Sequence, residues 1–169
     1  MESVLIAIKP NYCTLIANGE KTVEIRKTRP KFNSQFKCYI CCIKQRTRNM
    51  REIVKNDKYD IVKSTGKVIG EFVCDRIEYI DESYADFDKG ICELYIKQSC
   101  CSTYYIHELY RILCNGAYVW HISNPVIYEN PMELSDFYNR GNRSGKINQR
   151  MFGKTMKVTT NSWCYVDMK

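Results

Sequence analysis

The sequence lacks features that define several large classes of proteins. No stretch approaches the about eighteen consecutive apolar residues that a membrane-spanning helix needs. Only two histidines occur, His107 and His121, and neither belongs to a spaced pair of the kind that holds a metal ion. The first residues contain Glu2 and a short apolar run that ends at Lys9, which predicts a strand rather than a signal peptide. We therefore expect a cytoplasmic protein without membrane association.

Cysteine is plentiful, but its pattern is not typical of a metal site or of a secreted disulfide scaffold. The chain has ten cysteines, and without an export signal free thiols are the expected state. Cys38, Cys41 and Cys42 come closest to a zinc motif, yet a structural zinc site needs a second cysteine or histidine pair. We therefore predict no metal and no cofactor, and interpret the cysteines as small core residues.

Acidic residues are missing from two long stretches. Residues 25–51 contain nine Lys or Arg, residues 137–166 contain six, and neither stretch contains an acid. The rest of the chain has more acids than bases, so the net charge of +7 conceals strong segregation. Clustered cations bind phosphates with release of counterions, and interleaved aromatic rings can stack on unpaired bases. These aromatic residues are Phe32, Phe36, Tyr39, Tyr138, Phe152, Trp163 and Tyr165.

This charge pattern leaves three interpretations open. If the two stretches meet in the fold, they predict a surface that binds RNA or a nucleotide. An acidic protein partner would fit the same surface. Alternatively, the basic residues are solvated loops and the aromatic residues are core.

Hydrophobic periodicity predicts short strands separated by two or three helices, which favours an α+β fold around a small, partly open barrel. Strands are predicted at 4–8, 21–27, 37–43, 66–80, 117–123 and 162–166, with further short ones at 92–96 and 125–130. Helices are predicted after Pro10, at 106–113 and after Pro131, with a polar helix-like excursion at 46–62 and a mobile loop at 138–157.

Four segments occur in an order that resembles a known family. They are SVLIAIKPNYCTLIANGEKTVEIRK, GKVIGEF, YVWHIS and NSWCYV. Together they resemble the ASCH domain, a branch of the PUA-like superfamily, and in particular its small bacterial and phage-borne members. The resemblance implies a single domain over residues 1–169, with insertions at about 44–65 and 138–160. It also implies an α+β fold, a small mixed β-barrel with flanking helices, in a superfamily associated with RNA and modified nucleobases.

The resemblance places a basic cleft over the segment GEKTVEIRK. In this segment Thr22, Glu24 and Arg26 alternate onto one polar face, which either faces solvent or lines a polar pocket. Arginine can hold a phosphate or carbonyl in two hydrogen bonds, and a glutamate can accept from a base amino group. The predicted binding residues are Lys9, Thr22, Arg26, Lys27, Trp120, His121, Ser123, Trp163 and Tyr165. Each tryptophan is interpreted either as a base-stacking ring or as core.

Two enzymatic branches of the family give an alternative function. Members that resemble bacterial acetylcytidine amidohydrolase use a lysine and a threonine nucleophile, and here Lys21 matches the lysine but Glu24 stands at the nucleophile position. Another branch resembles a metal-stimulated ribonuclease that uses lysine, tyrosine and serine, for which Lys21, Lys27, Ser123 and Tyr165 are compatible residue types. If the protein is an enzyme, we predict Lys21 and Glu24 as its catalytic residues.

The leading interpretation is an RNA- or nucleotide-binding module without a cofactor. The alternatives are an enzyme that acts on RNA or a modified nucleoside, and a phage-derived protein-interaction module.

Overall fold

The computed structural model describes residues 1–43, 58–61, 63–80, 89–101, 116–141 and 163–169, apart from the side chains of 89–92. These residues form seven strands and two α-helices, with one short 3₁₀-helix at Leu134–Asp136. The strands are β1 (Ser3–Ile8), β2 (Val23–Arg26), β3 (Phe36–Cys42), β4 (Val68–Ile80), β5 (Ala117–Met132), β6 (Phe137–Asn139) and β7 (Trp163–Met168). The helices are α1 (Pro10–Ala17) and α2 (Lys89–Ser99).

All seven strands belong to one mixed sheet, in the order β2-β5-β4-β3-β1-β7-β6. Strands β1 and β3 are parallel, and the other neighbouring pairs are antiparallel. Strands β2 and β6 form the two ends of this order, and no pairing among the described residues joins them, so the sheet is open. The predicted α+β class is confirmed. No helix in the described segments is long and apolar enough to cross a membrane.

The middle strands β1 and β3 are buried on both faces of the sheet, which explains why the sequence of β1 is a continuous apolar run. On one face, Ile6 and Ile40 pack with Phe72 and with Cys13 and Ile16 of α1. On the other face the core comprises Leu5, Tyr39, Phe137 and Val166, and a smaller cluster of Val23, Tyr95 and Val119 lies beneath α2. Helix α1 and helix α2 therefore cover opposite faces.

Gly70 shows the close backbone approach that its position inside an apolar strand predicts. A Cβ atom at Gly70 would lie 2.2 Å from the carbonyl oxygen of Val126. The pairing register with β3 shifts between Ile40 and Cys41, beside Gly70. Glycine inside a strand often marks a bulge or a close backbone approach, and Gly70 is at such a place.

Two local predictions are wrong. The predicted strand at 92–96 is part of helix α2, because Tyr95 packs with Val23 and Val119 and this tertiary burial outweighs the local pattern. Pro131 does not open a helix, because β5 continues through Met132.

The prolines of β5 are tolerated because β2 pairs with β5 only at residues 118–121. On the β2 side of β5, no backbone N–H group is therefore needed at Pro125 or Pro131 for pairing with β2. The 3₁₀-helix begins after Glu133. The Glu133 side chain accepts a hydrogen bond from the backbone N–H of Asp136, and the Asp136 side chain accepts one from the backbone N–H of Glu133.

Three other predicted elements lie wholly or mainly outside the described residues. The helix at 106–113 lies wholly outside them, and the excursion at 46–62 is described only at 58–61, in a turn region. Of the predicted loop at 138–157, residues 138–139 belong to β6, and only 138–141 are described.

Candidate functional site

Strand β2 places the predicted polar residues on the face that α1 covers. Glu24 pairs with Trp120 of β5, and Arg26 pairs with Tyr118. Since side chains alternate along a strand, Glu24 and Arg26 share a face with Trp120, whose ring belongs to the core beneath α1. The polar face of this segment is therefore turned inward, against the main core.

Lys21, Glu24 and Arg26 form a charged cluster at this position, which we call the site cluster. The Glu24 carboxylate lies 3.0 Å from Lys21 Nζ through one oxygen and 3.0 Å from Arg26 Nη2 through the other. Lys21 Nζ also donates to the carbonyl of Ser99 at 2.6 Å, and Arg26 Nη2 donates to the carbonyl of Ala7 at 2.7 Å. The carboxylate thus bridges two cations that are each anchored to backbone.

The site cluster is nearly buried. The Lys21 side chain is 1% exposed, and those of Glu24 and Arg26 are 12% and 13% exposed. Burial raises the pKa of Glu24, but the charges of Lys21, Arg26 and Lys9 and the hydrogen bond from Lys21 outweigh it and bring the pKa below its ordinary value. Glu24 is therefore an ionised acceptor at neutral pH, and the cluster keeps a net charge of one positive unit.

Two buried donors next to this carboxylate have no hydrogen-bond acceptor among the described residues. They are Nε of Arg26 and Nε1 of Trp120. A buried N–H group without a partner costs about 1–3 kcal/mol. Because Trp120 is the cross-strand neighbour of Glu24, both donors belong to the region of the site cluster, where they are shielded from solvent.

The two acid-free stretches meet beside the site cluster. Trp163 Nε1 donates to Thr28 Oγ1 at 3.1 Å, and the backbone N–H of Lys31 donates to the Tyr165 hydroxyl at 3.0 Å. The rings of Phe32 and Tyr165 are 5.3 Å apart. The described parts of the two stretches therefore contact each other. Of the six bases in the second stretch, these parts include only Arg140, which is paired with Glu2.

Three cations on this surface, Lys27, Arg29 and Lys31, form what we call the basic strip. None of them has an acidic partner within the part of the chain that the structure describes. In contrast, Lys37 is paired with Glu71 at 2.7 Å, and Arg140 with Glu2 at 2.6 Å. Within the described residues, the three cations of the basic strip are therefore not neutralised by an ion pair.

An aromatic cluster lines the space between the two stretches. Trp120 is fully buried, and its ring packs 5.6 Å from Phe36 and 5.8 Å from Trp163. Trp163 and Tyr165 are partly exposed, and their rings meet edge to face at 5.3 Å. Trp163 and Tyr165 therefore have ring surface that is open to solvent, whereas Trp120 has none.

The remaining predicted residues divide between the two faces of the sheet. Lys9 is the N-cap residue of α1 and contributes to the lowered pKa of Glu24, so it belongs with the site cluster. Thr22 is exposed just before β2. His121 and Ser123 lie on the opposite face: His121 is 3.2 Å from Arg76, and Ser123 donates to the Asp75 carboxylate. The structure therefore does not bring these two residues to the site cluster.

Two contacts of Lys21 were not identified from the sequence. Its ammonium group lies 4.8 Å from the centre of the Tyr12 ring, a cation–π contact. It also binds the Ser99 carbonyl at the end of α2. The apolar spacing of α1 assigns Tyr12 to a helix face but does not predict its contact with Lys21. The contact with Ser99 could not be predicted either, because every residue type has a backbone carbonyl.

A cavity of about 400 Å³ lies elsewhere, between residues 58–61 and 63–64 on one side and the C-terminal half of β5 on the other. Its polar lining includes Lys58, Asp60 and Glu129, and its rings are those of Tyr59 and Tyr128. None of the predicted site residues lines it. The predicted chemistry therefore lies outside this cavity.

Three solved structures are similar to this chain at low sequence identity. A serine-to-alanine variant of ZmASCH from Zymomonas mobilis aligns with a TM-score of 0.54 and 18% identity, over 79% of this chain and 75% of that chain. The crystal structure of ASCH from the same organism gives a TM-score of 0.49 and 19% identity, over 79% and 74%. The N-terminal domain of Staphylothermus marinus McrB gives 0.40 and 13%, over 79% and 77%.

Sequence comparison assigns the family. No curated protein matches the chain, but the family model described as the ASCH domain matches residues 6–131, which include the site cluster. The resemblance inferred from the sequence is thus confirmed. Because this match spans most of the chain, the protein belongs to the ASCH domain family.

Proposed function

We propose that this protein is a single-domain ASCH module that binds RNA or a nucleotide through the site cluster and the basic strip. The observation that carries the proposal is the meeting of the two acid-free stretches next to the site cluster. A joined cationic surface attracts phosphates, because each neutralised phosphate releases condensed counterions. The partly exposed rings of Trp163 and Tyr165 add stacking surface beside those charges.

The partial exposure of Arg26 supports a polar ligand rather than a purely electrostatic one. The Arg26 side chain is 13% exposed and would donate to a base carbonyl or a phosphate oxygen. Glu24, held ionised by its cationic neighbours, would accept from a base amino group. The basic strip would hold the backbone while these groups read the ligand.

The enzymatic alternative has less support. Lys21 and Glu24 are paired with each other at 3.0 Å, and Lys21 is buried and also bound to a backbone carbonyl. Ser123, the serine compatible with the ribonuclease branch, lies on the other face of the sheet and binds Asp75. Binding without turnover is therefore the preferred function.

The test is fluorescence anisotropy with a labelled single-stranded RNA of about fifteen nucleotides at several salt concentrations. We expect log affinity to fall linearly with log salt concentration. Arg29→Ala should reduce the slope by about one, because it removes one phosphate contact. Lys63→Ala is the matched control: it removes an exposed cation that is paired with Asp60 outside the basic strip, and should leave the slope unchanged.

A second measurement separates recognition from catalysis at the site cluster. Arg26→Ala should weaken binding about 10- to 150-fold, as expected for a lost charge-assisted hydrogen bond. Mass spectrometry of the incubated RNA and of acetylated cytidine should show no product. Absence of binding at low salt, or a slope near zero, would refute the proposal and favour an acidic protein partner, while product that Lys21→Ala or Glu24→Gln abolishes would establish the enzyme.

A further inference from the structure

The C-terminal end of helix α2 anchors the lysine of the site cluster. Lys21 Nζ donates to the Ser99 carbonyl at 2.6 Å, and the backbone N–H of Thr22 donates to the Gln98 carbonyl at 2.9 Å. Carbonyls in the last turn of a helix lack partners within the helix and carry the negative end of its dipole, so they suit an ammonium group. Because Lys21 also lies 3.0 Å from the Glu24 carboxylate, the position of α2 on the sheet sets the position of this ammonium group.

Tyr95 of α2 fixes the helix to the sheet by packing and by a hydrogen bond. Its ring packs with Val23 of β2 and Val119 of β5, and the residue is only 8% exposed. Its hydroxyl group donates to the carboxylate of Glu78 on β4. Glu78 is the cross-strand partner of Val119, so the ring and the hydroxyl group hold α2 against the same face of the sheet. A hydrogen bond is directional, so it fixes the place of the helix more closely than packing does.

The ionisation of this pair keeps the hydrogen bond in one direction at neutral pH. Burial and the hydrogen bond to Glu78 raise the pKa of Tyr95 to about 12, so the hydroxyl group stays protonated and donates. The hydrogen bonds from Tyr95 and Arg76 lower the pKa of Glu78, so the carboxylate stays ionised and accepts. Arg76 Nε and His121 Nε2 lie 2.7 Å and 3.3 Å from the other carboxylate oxygen. They therefore hold Glu78 in place for Tyr95.

We propose that Tyr95 is a positioning residue for the site cluster, because its hydrogen bond to Glu78 holds α2 at the place where the helix end anchors Lys21. This inference rests on the proposed function and specifies it further, because it names a residue that affects ligand affinity without contacting the ligand. Lys21 is 1% exposed, so it acts on a ligand by holding Glu24, whose side chain is 12% exposed. A loosened α2 would release Lys21 and let the carboxylate turn away from a base amino group.

The first measurement is how well α2 protects Lys21. Tyr95→Phe keeps the packed ring and removes only the hydroxyl group. Labelling with an amine-reactive ester, followed by peptide mass spectrometry, gives the reaction rate of Lys21 relative to that of Lys63, which is 85% exposed. We expect Tyr95→Phe to raise this relative rate about 2- to 10-fold, because a buried amine reacts through local opening and one net hydrogen bond is lost.

The second measurement is RNA affinity, in anisotropy titrations with the labelled single-stranded RNA. Tyr95→Phe should weaken binding about 2- to 10-fold, with an unchanged salt slope because no phosphate contact is lost. Tyr128→Phe is the matched control for both measurements. Tyr128 of β5 also donates to a carboxylate, that of Glu71 on β4, so it loses the same kind of hydrogen bond within the sheet rather than on α2. It should leave the Lys21 rate and the affinity at the values of the parent protein.

The outcomes separate the positioning role from the proposed function. If the parent protein binds RNA but Tyr95→Phe equals Tyr128→Phe in the Lys21 rate or in affinity, the positioning role is overturned and the proposed function stands. A smaller salt slope for Tyr95→Phe also overturns it, because a phosphate contact would then be lost. If the parent protein binds no RNA at low salt, the proposed function fails and the role in binding fails with it. A Lys21 rate raised in Tyr95→Phe alone would then make Tyr95 an anchor of α2 only.

Discussion

Replacing Glu24 by glutamine removes the only negative charge of the site cluster and leaves two buried cations. Each carboxylate oxygen lies 3.0 Å from one cation, and no side chain of the three is more than 13% exposed. Breaking a buried ion pair by removing one partner costs about 3–5 kcal/mol of unfolding free energy. Lys21 and Arg26 keep their backbone carbonyls, and the amide oxygen of glutamine can accept one hydrogen bond. We therefore expect the unfolding free energy to fall by about 3 kcal/mol at neutral pH, near the lower end of that range.

The same substitution should change how stability depends on pH. The folded-state pKa of Glu24 lies below its ordinary value of 4.5, so the folded protein binds fewer protons than the unfolded chain. The stabilisation by Glu24 is therefore complete above the unfolded pKa and is lost as the pH falls through the folded pKa. The difference in stability between the parent protein and Glu24→Gln should shrink as the pH is lowered below about 4.5.

Urea denaturation followed by tryptophan fluorescence measures both quantities, because Trp120 is fully buried and Trp163 partly so. The matched control is Asp60→Asn, since Asp60 and Lys63 form an ion pair with the same i,i+3 spacing at 2.9 Å but are exposed. This control should have no measurable effect. A loss below about 1 kcal/mol for Glu24→Gln, or a difference that does not change with pH, would refute the assignment of a buried and strongly coupled carboxylate.

Three further outcomes are expected. Gly70→Ala should destabilise the protein by at least about 1–3 kcal/mol in urea, because the new Cβ would lie 2.2 Å from the Val126 carbonyl; a neutral effect would contradict this packing. Trp163→Phe should cost about 0.5–1.5 kcal/mol through loss of its hydrogen bond to Thr28, and Thr28→Val should be non-additive with it in a double-mutant cycle. Alkylation followed by mass spectrometry should add ten groups to the unreduced denatured chain. The native protein at pH 8 should gain fewer, because burial raises the pKa of Cys164 to about 12. Pairs of cysteines that resist alkylation in freshly prepared, denatured protein would contradict the free-thiol assignment.

The sequence by itself determined the elements whose signals are local. The apolar runs of β1 and β4 identify buried strands, and Gly19 ends α1 with a φ of +76°, because strand burial and left-handed backbone are restricted to few residue types. The order of four motifs also identified the family. Helix α2 was missed, because its residues pack with Val23 and Val119, which are distant in the sequence.

The tertiary structure alone decided which candidate residues meet. Alternation along β2 placed Glu24 and Arg26 on one face, but it could not show that this face turns inward against the core or that Lys21 is 1% exposed. The contact between Thr28 and Trp163 joins residues that are 135 positions apart. The charge counts predict a binding surface only if the two stretches meet, and the sequence does not show whether they do. His121 and Ser123 occur in the same strand as Trp120, yet the pleat directs them to the opposite face. Residue types and their periodicity are local properties, whereas burial and pairing depend on which strands the chain brings side by side.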